Sequence, residues 1–267
     1  MHNKLSLLLS LALFGASACV APLPKGYEAH PQGLLPSQDT STTPLNFLEL
    51  EGLSSQGSKE QSTSVAMRYG ITSRSEVYLV QELHHAIDTA GAQNVSGTGD
   101  AWLGLRHRLA NTDPKGGKHA FAAEVRIPHS DPNAGIGSGQ LELHVLHIRD
   151  STWAGYDITT NTGVKLIGDG ENRPDPALTA SITMTDPLVS VAGKQLPFGL
   201  IAELGGLWQP EETYYPAYAA LGVRIPIHPS LELQIARIEE LGGWATEPKW
   251  ALSLGRLVGD SLNLQRR

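Results

Sequence analysis

The chain has 267 residues, a formal net charge of −7 and only 18% charged side chains. That length accommodates one large all-β domain, and 28 glycines with 17 prolines imply many turns. The mild acidity, without any polybasic run, excludes a nucleic-acid footprint, and a single cysteine excludes an intramolecular disulfide.

At the N-terminus Lys4 precedes an unbroken small-and-apolar run over residues 5–18, too short to span a bilayer and typical of a signal-peptide core. Ala16-Ser17-Ala18-Cys19 follows and resembles a bacterial lipoprotein box, which implies acylation (palmitate) of Cys19. Cleavage at the same bond by the ordinary signal peptidase is the alternative. Val20 and Ala21 lack the aspartate that retains lipoproteins at the inner membrane, so the resemblance points to the outer membrane. Residues 20–44 are rich in Pro, Ser, Thr, Gly and Gln and show neither a period of 2 nor one of 3.6. The expected organisation is a signal peptide over 1–18, a disordered tether over 19–45, a β-barrel over 46–258 and a tail over 259–267. No later segment holds eighteen consecutive apolar residues, so no helical span is expected.

From Asn46 onward the grammar is that of strands and turns. In residues 120–128, Phe121, Ala123, Val125 and Ile127 fall on one face, Ala122, Glu124 and Arg126 on the other. Residues 140–145, 219–227 and 231–236 alternate in the same way, a period that a helix would not keep. Such segments number about twelve: 46–54, 63–71, 76–84, 99–109, 119–128, 139–148, 153–167, 176–185, 197–208, 216–226, 230–238 and 248–257. Most match the 9–11 residues that a tilted strand needs to cross hydrocarbon. Connections after the second, sixth and tenth segments are very short; those after the first, third, fifth, ninth and eleventh are longer, and 110–118 and 186–196 depart from the rule. Short turns on one side and long loops on the other fit an antiparallel up-and-down transmembrane β-barrel, all-β, with both ends on the periplasmic side.

Alternation alone also fits a soluble sandwich, and the polar face decides between them. Besides Arg108, Asp157, Lys165 and Glu203 it carries Arg68, Glu82, Arg106, Glu124, Arg126, Glu142, His144, Arg224 and Glu232, interleaved with Gly70, Gly104, Gly163, Gly199 and Gly222. A barrel lumen tolerates small residues with paired charges of both signs. Those nine charged or titratable residues are the lumen candidates. Tyr69, Tyr78, Trp153, Tyr156, Trp208, Tyr214, Tyr215 and Trp250 lie near predicted strand ends, as an interfacial girdle requires.

Four segments in order resemble the outer-membrane transporter-like family associated with the MetA pathway of phenol degradation. Tyr69-Gly70-Ile71-Thr72-Ser73-Arg74-Ser75-Glu76 matches its turn. Gly97-Thr98-Gly99-Asp100 leads into Leu103-Gly104-Leu105-Arg106-His107-Arg108-Leu109, its next strand. Residues 122–128 end in Arg126-Ile127-Pro128, and Gly137-Ser138-Gly139 precedes the sixth segment. The match covers roughly residues 60–257 and is looser after Gly168. The resemblance implies a transporter-like barrel for a small hydrophobic or aromatic molecule. In the turn, Arg74 and Glu76 are placed to pair, worth about 0–1 kcal/mol.

Chemistry is sparse. The chain holds no P-loop, dinucleotide fingerprint, Cys/His zinc spacing or Gly-x-Ser-x-Gly elbow. No enzyme, metal or other cofactor is expected. His84-His85 point to opposite faces of a strand; His144 shares a face with Glu142 and lies one strand from Glu124, a weak cation-site pattern. His107 and His147 are expected outward, with no serine obviously paired to either. The expected partners are outer-membrane lipid, the outer-membrane assembly machinery and a small molecule whose identity the residues do not give. The rival readings are a closed structural or interaction barrel lipoprotein without transport, and a soluble periplasmic β-domain hung from a lipid.

Overall fold

Alternation of apolar and polar side chains becomes fifteen strands in the computed structural model, which describes residues 38–57, 60–87, 95–110, 117–130, 136, 139–168, 174–185, 190–191, 194–195, 198–209, 217–228, 231–241 and 248–258. They are β1 (Leu48–Gln56), β2 (Glu60–Gly70), β3 (Ser75–Ile87), β4 (Val95–Gly97), β5 (Ala101–Arg108), β6 (Lys118–Ile127), β7 (Glu142–Trp153) and β8 (Tyr156–Gly168). Then follow β9 (Pro174–Thr185), β10 (Ser190–Val191), β11 (Lys194–Gln195), β12 (Gly199–Trp208), β13 (Ala217–His228), β14 (Leu231–Leu241) and β15 (Lys249–Val258). β4 extends the edge of β3, and β10 with β11 makes a separate small hairpin. The other twelve pair antiparallel with their chain neighbours, and β1 pairs with β15 from Leu48↔Val258 to Gln56↔Trp250. The sheet is therefore a closed twelve-strand barrel without an edge, the only sheet form viable in hydrocarbon.

Each expected strand overlaps one of these twelve. Two boundaries moved for physical reasons. Trp153 belongs to β7 rather than to the seventh segment, because Ala154 (φ 51°) and Gly155 (φ 88°) form a two-residue turn with both residues left-handed, the type that matches strand twist. The connection after β1 is only residues 57–59, not the longer loop expected. Its Ser- and Gln-rich flanks continue the strands, and Ser55 and Ser62 share a 2.8 Å hydrogen bond between hydroxyls. Small polar residues read as loop in the sequence but suit a wetted wall. In β13, Pro226 has no N–H to give; the register with β14 shifts between Pro226 and His228, a bulge where proline is tolerated.

Both ends of the barrel sheet, Leu48 and Val258, lie at one rim. At that rim β2 ends and β3 begins, as do β5 and β6, β7 and β8, β9 and β12, and β13 and β14; at the opposite rim β1 ends and β2 begins, as do β3 and β5, β6 and β7, β8 and β9, β12 and β13, and β14 and β15.

The polarity of the wall is inverted relative to a soluble protein. Leu221 is 70% exposed, Leu204 55% and Leu103 52%, and Leu105, Phe121, Val145, Leu178 and Leu200 lie on the same outer face. Arg106, Glu76 and Glu51, on the inner face, are each about 1% exposed. Leaving one such aliphatic side chain in water forfeits about 1.5–3 kcal/mol. More than fifteen of them outside a closed cylinder call for an apolar solvent. In β13 the outward apolar positions run from Ala219 to Ile227, roughly 27 Å along a strand at ~3.4 Å per residue. Trp153, Tyr156, Trp208 and Trp250 are exposed near strand ends, as expected for a girdle. Tyr78 is not among them: it is buried in the lumen. Tyr214 and Tyr215 lie outside the described residues.

Candidate functional site: a lumen crossed by an N-terminal strap

The segment before β1 enters the barrel. Asn46 adopts φ 64°, a left-handed conformation that asparagine tolerates, and its N–H donates to Gly70 O at 2.9 Å. Gly70 is required here: a Cβ on it would stand 2.0 Å from Pro44 O and 2.4 Å from Thr43 O. The chain thus turns back over β2, and residues 38–43 lie within the lumen, with Thr40, Thr42 and Thr43 buried.

The wall grips this strap through charged groups. The Thr43 N–H donates to Glu76 Oε2 at 2.6 Å. Arg106 Nη1 donates to Ser41 O at 2.8 Å and to Asp39 O at 3.3 Å, and its Nη2 donates to Gln38 Oε1 at 3.0 Å. Thr40 gives both its N–H, at 2.9 Å, and its hydroxyl to Asp150 Oδ2. Gln38 donates its N–H to Asn161 Oδ1 at 3.1 Å and its amide to Glu124. The strap therefore runs from the β2–β3 wall to the β7–β8 wall. Hydrogen bonds to charged groups contribute about 1.5–3 kcal/mol each. Several act together, so the strap is a fixed element of the lumen. This corrects the tether expected over 19–45 for its described part, residues 38–45. They show no period because they make neither helix nor strand; the wall supplies their hydrogen-bond partners. Cys19 and the rest of that segment lie outside the described residues.

All nine lumen candidates line the interior, grouped in separate networks. Arg106 pairs with Glu76 at 3.5 Å as well as holding the strap. Arg126 lies between Asp100 (2.9 Å) and Glu142 (3.1 Å), with its guanidinium 4.9 Å above the Trp102 ring, and Lys165 reaches Glu142 at 2.6 Å. Glu124 accepts from Tyr78 at 2.7 Å and faces His144 at 3.5 Å; His144 shares a 2.9 Å hydrogen bond with Thr179. Arg68 pairs with Glu51 at 2.7 Å, Arg224 with Glu232 at 3.5 Å, and Glu82 with His85 at 2.8 Å near the rim opposite the termini.

Two glycines make the Tyr78–Glu124–His144–Thr179 row possible. A Cβ at Gly104 would lie 2.1 Å from the Tyr78 ring, and one at Gly163 would lie 2.9 Å from Thr179 Oγ1. Each glycine lets a side chain cross its strand to a partner beyond. His144, Glu142 and Glu124 do not make a cation site; among the described residues no group of three or more ligand-type side chains could hold a metal. Glu76 is directed to Arg106 and the strap, not to Arg74 as the turn suggested. On the outer wall Ser75 does meet His107, at 2.8 Å, a pairing across strands that the sequence does not display. The carboxylates of the strands beside it, Glu76 and Glu124, alternate onto the inner face.

Sequence reasoning missed Asp39, Thr40, Thr43, Asp150 and Asn161, which have no periodic signal of their own. Glu49 and Glu51 were legible in the alternation Leu48-Glu49-Leu50-Glu51. Among the described residues the buried carboxyl side chains are Glu49, Glu51, Glu76, Asp100, Glu142, Glu203 and Glu232, against the buried guanidiniums Arg68 and Arg106. The lumen is predominantly acidic.

By sequence, no family model matches the chain, and neither does any curated protein. By structure, it is similar to the crystal structure of an outer membrane channel from Pseudomonas putida F1, at TM-score 0.60 and 13% identity, over 89% of this chain and 100% of that one. It is also similar to the NanC porin, at TM-score 0.52 and 10% identity, over 79% of this chain and 98% of the porin. The fold of this chain is that of outer-membrane channel and porin barrels.

Proposed function

We propose that the protein is a transporter-like barrel of the bacterial outer membrane that passes or binds a small molecule through a lumen narrowed by its own N-terminal strap. The observation that carries this reading is the inverted polarity of a closed barrel, with aliphatic side chains outward and ion pairs inward. The termini-bearing rim faces the periplasm in this reading, which suits a lipid on Cys19 in the inner leaflet. The resemblance to the phenol-degradation transporter family supports a hydrophobic or aromatic solute.

The buried strap favours a second reading, a closed structural barrel lipoprotein. Planar-bilayer recordings of the full chain separate the two. Small, reproducible single-channel steps that grow when residues 38–43 are removed support transport past the strap. Silence from both forms, with each still folded, supports the closed barrel and defeats the transport reading.

A further inference from the structure

The outer wall changes character abruptly at the rim that bears the termini. Across β5–β8 the outward residues form in-register rows. Leu103, Val125, Leu143 and Leu166 make one, and Leu105, Ala123, Val145 and Val164 the next, both wholly aliphatic. The following row is His107, Phe121, His147 and Thr162, and beyond it stand His119, Arg149 and Thr160. The same β7–β8 hairpin then ends in the exposed aromatics Trp153 and Tyr156. Interfacial aromatics mark headgroup depth. The two polar rows therefore lie between the aliphatic rows and that aromatic level.

Every ionisable group in those two rows is basic. Glu124, Glu142, Asp150 and Asp157 of the same strands alternate onto the inner side. His119 Nδ1 and His147 Nε2 lie 3.1 Å apart with their rings stacked at 5.3 Å, and Phe121 packs against His147 at 5.1 Å. That contact consumes one nitrogen of each ring, and among the described residues His119 Nε2 and His147 Nδ1 have no other hydrogen-bond partner. Whichever ring donates in the shared bond, the acceptor ring must carry its proton on its other nitrogen. Arg149 pairs with His119 in register and lies two residues from His147 on the same face, where its exposed guanidinium adds a planar fork. Thr162 stands opposite His147 in register.

Resting on the membrane reading above, we propose that His119, His147 and Arg149 form a binding site for the phosphate of an anionic glycerophospholipid. Its acyl chains lie along the Val145–Val164 and Leu143–Leu166 rows. An imidazole N–H donor beside a guanidinium is a set that recognises phosphate oxygens, and the adjoining aliphatic rows distinguish a lipid from a free anion. The absence of outward carboxylates in these four strands removes the repulsion that would oppose it.

Native mass spectrometry of the full chain in neutral detergent tests this, with dioleoyl phosphatidylglycerol or dioleoyl phosphatidylcholine added. The expected result is preferential retention of phosphatidylglycerol by about tenfold, lost in the double variant His147→Gln, Arg149→Gln and kept in Arg237→Gln, an outward arginine near the opposite rim. Equal retention of both lipids, or retention unchanged in the double variant, overturns the proposal. Displacement of the lipid by millimolar inorganic phosphate, or a stronger preference for lipopolysaccharide, overturns the assignment to a glycerophospholipid. Heat-modifiable gel migration is read on every variant. If it persists while lipid selectivity is absent, the lipid site alone fails; if the wild-type chain lacks it, the membrane-barrel reading fails first.

Discussion

The two halves of the barrel hold their interiors in different ways. From β1 to β8 the inner wall is tied by ion pairs and by the strap: Arg68 with Glu51, Arg106 with Glu76, Arg126 with Asp100 and Glu142, Lys165 with Glu142. From β9 to β15 the inner wall is built largely from small residues. Ala220, Ala236 and Ala251 cluster with Ile201, and Gly222 lies so close to Ile235 O that a Cβ would stand 2.6 Å from it. The charges there are fewer: Arg224 faces Glu232 at 3.5 Å, and Glu203 accepts from Thr183 at 2.8 Å and from Tyr218. The strap's hydrogen bonds described above all go to β2–β8. Ionic density thus follows the strap. The first half is built to hold a segment in place.

This contrast can be broken experimentally. The largest effect is expected from removing residues 38–43, which should raise single-channel conductance several-fold while the barrel stays heat-modifiable. An unchanged conductance would mean that the strap does not limit the path. Next comes Arg106→Gln, which deprives both Glu76 and the strap carbonyls of their cation. Removing one partner of a buried pair costs about 3–5 kcal/mol, so the midpoint of urea unfolding in lipid vesicles should fall markedly. Gly70→Ala should act on the strap alone, since the new methyl collides with the carbonyls of Thr43 and Pro44; overpacking of this kind costs about 1–3 kcal/mol. Its signature is raised conductance with the ion pairs intact. Arg224→Gln, in the sparse half, should shift unfolding least, because Arg224 holds no strap and Glu232 keeps a 2.9 Å hydrogen bond from the Gln234 amide. A loss as large as that of Arg106→Gln would erase the distinction between the halves. The acidic excess adds a sign: reversal potentials in a salt gradient should favour cations, and anion preference would contradict the inner-wall assignment.

How much of this was written in the sequence follows from the range of each interaction. The twelve strands and the inward set were legible because a two-residue period lies within a single strand. Arg126 and Glu142 could be placed on the same side from their own neighbours. Register across strands is not local, so the row from Tyr78 to Thr179 was hidden, as was the meeting of Ser75 with His107. Tyr78 resembled an interfacial tyrosine because it sits near the start of β3; only Gly104 on the adjacent strand, with room for its ring, reveals that it turns inward. The strap was least legible. Residues 38–43 have the composition of a linker, and their order comes from Arg106, Glu76, Asp150 and Asn161, all remote in sequence.

The central claim is that hydrocarbon contacts the aliphatic stripe and the ionic groups face inward. Nitroxide labels attached through single cysteines test it most directly, in a chain with Cys19 replaced and reconstituted in lipid vesicles. Labels at Leu221→Cys and Leu204→Cys should collide with oxygen far more than with a water-soluble nickel complex, while a label at Ala236→Cys should show the reverse or be shielded from both. Leu221 and Leu204 labels buried against each other, or accessible to nickel, would contradict the account.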